Sequence, residues 1–119
     1  MSSLALVEGP SGVAGAWDTD GQIYFAKIKP GTTDFTKPES APRTGVDRKH
    51  PAIAFNARGE MILVWTEGTG WQKGGSLAWQ LFDRYGRPLE EKGRLAGVIP
   101  VWSLATVVAR PEGGFTILY

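Results

Sequence analysis

The sequence predicts an all-β chain of short antiparallel strands, arranged as about two and a half copies of a four-stranded unit. Three observations predict this. Sixteen glycines and eight prolines in 119 residues accompany plentiful aromatic and β-branched residues, the composition of many short strands with frequent turns. Three segments align without a gap: ALVEGPSGVAGAW ending at Trp17, IAFNARGEMILVW ending at Trp65, and VVARPEGGFTILY ending at Tyr119. No segment carries a 3.6-residue apolar period, and the best helical candidate, RPLEEKGRLAG, opens on Pro88 and is interrupted by Gly93.

Each aligned copy has the same grammar, which predicts a β-hairpin. A short apolar run leads into a small Gly-containing turn (EGPSG, NARGE, RPEGG), and a second apolar run closes on a large aromatic. In the second strands one face carries Val13 and Trp17, then Met61, Leu63 and Trp65, then Phe115, Ile117 and Tyr119. The opposite face carries Ala14 and Ala16, then Ile62 and Val64, then Thr116 and Leu118. Apolar or small residues on both faces predict a strand covered on two sides, as in a sheet stacked between neighbours. Trp65 is therefore expected in the core.

Beyond the aromatic, two copies continue alike. Asp20-Gly21 is a strong hairpin signal before the strand Ile23 to Ile28, and a glycine-rich loop precedes the strand Leu77 to Phe82. Tyr85-Gly86 followed by Arg87-Pro88 predicts another turn, and each unit ends in a short final strand. KPESAPRTGVDRKHP and KGRLAGVIP read as linkers, rich in Pro, Gly and charge. The result is a single β domain over residues 1–119 with ten strands. Its first repeat spans about 3–38, its second about 51–93, and a partial third about 102–119.

Thirteen Lys and Arg stand against twelve Asp and Glu, so no long-range field toward nucleic acid or an anionic membrane is expected. The small basic group Arg43, Arg48 and Lys49 reads as a solvated linker. The absence of cysteine removes disulfides, thiolate metal sites and cysteine nucleophiles. The opening MSSLALVEGPSG has no basic segment followed by a long apolar one, and no apolar run approaches the roughly 18 residues of a membrane helix.

Pro51, Ala52, Ala54, Gly59, Val64, Trp65, Phe82, Asp83, Gly86, Pro88 and Leu89 form a pattern that resembles a repeat of bacterial β-propeller-like proteins. The full pattern covers residues 51–90, and Arg58-Gly59 stands where that family often has Asp-Gly. The resemblance implies four-stranded propeller-like blades, and a secreted or cell-surface location. Propellers close with about four to eight blades, so two and a half blades imply a homo-oligomer or further blades of the same protein. A ten-stranded sandwich or barrel is the alternative architecture.

The segment WTEGTGWQKGG resembles the Trp-rich loop of few-bladed fucose-binding lectins. This implies a glycan site in which Trp71 stacks on a sugar while Glu67 and Gln72 bond its hydroxyls. The structural alternative has Trp71 covering a blade edge. DTDG at Asp18 to Gly21 has the start of a calcium loop, but no later acidic ligand follows, and a hairpin turn accounts for it. His50 is the sole histidine, which leaves a metal site or a Ser-His-Asp arrangement without support. Glu90 and Glu91 are adjacent on a strand and face opposite ways, so they read as solvated edge charges rather than an acid and base pair. No metal, cofactor or catalytic residue is expected. The function implied is a non-catalytic binding or assembly module that recognises a glycan or a protein, and the alternative is a portion of a propeller-type enzyme whose active site several blades share.

Overall fold

A computed structural model describes residues 3–10, 12–29 and 31–119. Ser11, in the first predicted turn, lies outside the described residues. The chain is all-β, and the described residues form ten strands: β1 (Leu4–Gly9), β2 (Gly12–Thr19), β3 (Gln22–Lys27), β4 (Glu39–Ser40), β5 (Arg48–Phe55), β6 (Met61–Glu67), β7 (Gly75–Phe82), β8 (Pro88–Ile99), β9 (Thr106–Ala109) and β10 (Phe115–Leu118). They form two four-stranded antiparallel meanders, β1-β2-β3-β4 and β5-β6-β7-β8, and the two-stranded sheet β10-β9.

Turn chemistry joins the strands. Asp20 and Gly21 both have left-handed backbones (φ 50° and 77°), as a two-residue hairpin turn requires. The hairpins β5–β6, β7–β8 and β9–β10 share another turn, in which a glycine amide (Gly59, Gly86, Gly113) donates to the carbonyl three residues earlier. Asn56 Oδ1 and Asp83 Oδ1 brace two of these turns by accepting backbone N–H bonds within the loop.

The three sheets stack face to face, and the middle sheet is covered on both sides. All seven residues of β6 are buried. Met61, Leu63 and Trp65 pack with Ala14, Ala16, Ile23 and Phe25 of the first sheet. Ile62 and Val64 pack on the other side with Val107, Phe115 and Ile117 of the third. The two-sided apolar pattern of GEMILVW thus has its expected cause.

The gapless alignment fails at β1. Ile53 pairs with Leu63 and Val107 with Ile117, the same register in the second and third copies, whereas Ala5 pairs with Ala16 rather than with the aligned Gly15. The β1–β2 connection has two residues between paired Gly9 and Gly12, one fewer than the three enclosed by the Asn56–Glu60 and Arg110–Gly114 backbone hydrogen bonds of the other two hairpins. A one-residue slip turns a strand over. Ala5 and Val7 consequently face the second sheet, while Leu4 and Leu6 point outward and are exposed.

Both predicted linkers contribute strands. KGRLAGVIP forms the second half of β8, with Leu95 opposite Leu77 and Gly93 opposite Trp79. This strand is an edge whose charged residues Glu90, Glu91, Lys92 and Arg94 are exposed, so it lacks the alternation that identifies a half-buried strand. Gly93 has a specific use: a Cβ there would collide with the Trp79 ring. The other linker supplies β4 and the start of β5. Arg48 within it is only 1% exposed, which corrects the expectation of a solvated basic group.

Candidate functional site

The segment between β6 and β7 does two separate things. Its start is interior. Glu67, at the end of β6, is buried, and both its carboxylate oxygens are occupied: Oε2 accepts from Arg48 Nε (3.2 Å) and Trp65 Nε1 (2.9 Å), and Oε1 accepts from Arg94 Nε (2.7 Å). Burial pushes this carboxyl upward, but the hydrogen bonds from Arg94 and Trp65 and the charges of Arg48 and Arg94 outweigh it, and the group lies below its ordinary range. Arg48 completes the network by donating to Gln22 Oε1 and to the Ala41 and Pro42 carbonyls of the first sheet. Its guanidinium carbon lies 5.1 Å from the centre of the Trp65 ring. Glu67 is thereby committed to an interior network of the second sheet, which Arg48 extends to the first.

The rest of the segment is an exposed miniature hairpin. Gly70 and Lys73 exchange backbone hydrogen bonds of 3.2 and 3.1 Å, leaving Trp71 and Gln72 at the tip. Thr69 is buried and anchors the base through its hydroxyl to that of Thr66 (3.2 Å). Gly74 and Gly75 close the loop where no side chain fits, because a Cβ would meet the Ile99 and Glu67 carbonyl oxygens respectively. Gly74 and Gly75 therefore serve close backbone approach, whereas Gly68 supplies a left-handed backbone (φ 79°).

Trp71 is 79% exposed and meets Trp102, which is 67% exposed, in an edge-to-face pair with ring centres 4.7 Å apart and planes at 89°. Trp102 comes from the β8–β9 connection, where Ser103 N donates to Pro100 O. Val101 and Leu104 beside it are also exposed, so a contiguous apolar patch faces water. The two tryptophans line a cavity of about 340 Å³ together with Lys49, His50, Thr69 and Lys73.

Strain concentrates here. Among the described residues six non-glycines have left-handed backbones; His50 (φ 54°) and Trp102 (φ 63°) line this cavity, and Gln72 (φ 50°) adjoins Trp71. His50 sits at a bulge in β5, where the register shifts between Lys49 and Ala52, and its backbone N–H donates to Asp18 Oδ2 (2.9 Å). Asp18, the first residue of DTDG, is buried, and its carboxylate also accepts from the Ser3 backbone N–H and hydroxyl. Its role is to tie the first sheet to that bulge. No group of three His, Asp or Glu able to hold a metal ion occurs among the described residues.

The trio expected from sequence is split. Trp71 and Gln72 share the hairpin tip, while Glu67 points its carboxylate into the interior network. Trp102 was not anticipated. Its signal was a lone tryptophan in IPVWSLA, outside any strand periodicity, which marks a ring with no place in a sheet face. No protein-family model, no curated protein and no solved structure matches the chain.

Proposed function

We propose that the chain is a non-catalytic binding module built of propeller-like blades and that the Trp71 cavity binds a glycan. The exposed edge-to-face pair of Trp71 and Trp102 carries this reading. A sugar ring presents an apolar C–H face that stacks on indole, and its hydroxyls need neighbouring polar groups such as those of Lys49, Thr69 and Lys73. Two large rings exposed to water, with left-handed backbone at Trp102 and at Gln72 beside Trp71, have a cost in folding that ligand contact would recover. The meander order of the sheets and their face-to-face stacking support the blade architecture.

The test is a titration with a panel of neutral and acidic sugars, followed by tryptophan fluorescence. Trp71→Ala is expected to weaken binding at least about tenfold, roughly 1.4 kcal/mol, while leaving the melting curve close to that of the parent. An equal response from Trp71→Ala would overturn the sugar site.

A specific observation favours assembly as well. The stack has unlike ends: Leu4, Leu6 and Phe35 are exposed at the outside of the first sheet, and Val108 and Leu118 at the outside of the third. In both internal junctions the Ala16 or Val64 face of one sheet meets the Trp65 or Ile117 face of the next, so a further junction of the same sense joins one copy's third sheet to another copy's first. Light scattering is expected to give a mass that is a multiple of 12.9 kDa. Leu6→Glu is expected to return it to that of the monomer. A parent protein that is monomeric throughout would overturn assembly.

A further inference from the structure

We propose that the Trp71 cavity selects a sugar that carries a carboxylate, a uronic-acid residue. This rests on the glycan reading above and deepens it. The cavity combines two features, aromatic walls and uncompensated positive charge. Lys49, from β5, and Lys73, from the hairpin, both line it, as does His50, and no Asp or Glu does.

Neither lysine has a carboxylate within ion-pair distance among the described residues. The Lys49 ammonium is held in place by donating to the Thr69 carbonyl at 2.9 Å, and that bond uses one of its three N–H donors. A neighbouring cavity, lined by Glu67, Lys73 and Arg94, differs because its Glu67 and Arg94 are paired with one another. A ring stacked on Trp71 or Trp102 would bring its exocyclic carboxylate beside Lys49 and Lys73. There a charge-assisted hydrogen bond is stronger than one from a neutral hydroxymethyl group. The perpendicular tryptophans supply affinity for the ring, and the lysines decide which ring.

The decisive comparison is trigalacturonate against its methyl ester, because the two share ring shape and hydroxyls and differ in charge. The acid is expected to bind at least about fivefold more tightly at low salt. That preference is expected to shrink near 1 M salt, where screening acts within about 3 Å, and to disappear in Lys73→Gln. Lys73 is exposed on the hairpin, so this variant keeps the fold; Lys49→Gln is a second probe, accepted only with an unchanged melt. Equal affinity for acid and ester overturns the charge selection and leaves the glycan reading standing. Binding of neither overturns the uronate proposal, and no response to any sugar of the panel overturns the glycan reading with it. Binding of the acid that survives Trp71→Ala also overturns the proposal, since attraction to lysines alone would then suffice.

Discussion

Replacing Arg48 with methionine is expected to lower stability by about 3–5 kcal/mol, the range for breaking a buried ion pair by removing one partner. Arg48 is 1% exposed, and its guanidinium serves four acceptors at once: Glu67, Gln22 and the carbonyls of Ala41 and Pro42. Methionine fills much of the volume but leaves the Glu67 carboxylate with only Arg94 and the Trp65 N–H, and leaves the buried Ala41 carbonyl and the half-buried Pro42 carbonyl without that donor. Urea or thermal unfolding measures the loss. For a domain whose total stability is about 5–15 kcal/mol, a fifth of it or more would go. Adding Glu67→Gln is expected to cost less than the sum of the two single changes, because both act on one network. A loss below about 1 kcal/mol in Arg48→Met would show that the network is not a joint between the sheets.

The second large effect is expected from Trp65→Ala, also about 3–5 kcal/mol, through lost transfer energy and the cavity left behind. Trp65 is 0% exposed, stands between the first and second sheets, and donates its indole N–H to Glu67. Trp65→Phe keeps most of the apolar contact and loses that bond, so about 1–3 kcal/mol is expected. The two tryptophans of the stretch GEMILVWTEGTGWQKGG are thus expected to separate by experiment: Trp65 changes are expected to move the unfolding midpoint, and Trp71→Ala, on the proposed glycan reading, the ligand affinity. A Trp71→Ala protein destabilised as much as Trp65→Ala would mean that Trp71 is a packing residue too.

Much of the fold was legible because its signals are local. Asp20-Gly21 specifies a turn through its own backbone preferences, and the glycines at Gly59, Gly86 and Gly113 do the same in their three-residue loops. The alternation in GEMILVW, apolar on both faces, reports two-sided burial without reference to what lies on either side. The candidate site was half legible. Trp71 stood out because the repeat does not account for it, but the neighbour it needs lies in the β8–β9 connection, far along the chain.

By itself, then, the sequence determined the strand class, the turns and the packing role of Trp65, since each depends on residues adjacent along the chain. Only the tertiary structure decided the flipped face of β1, the extension of β8 through KGRLAGVIP, the burial of Arg48, the commitment of Glu67 to the interior, and the meeting of Trp71 with Trp102. The reason is common to all five. Register, edge position and loop-to-loop contact depend on how whole sheets pair and stack, and a one-residue difference in a distant turn is enough to reverse them.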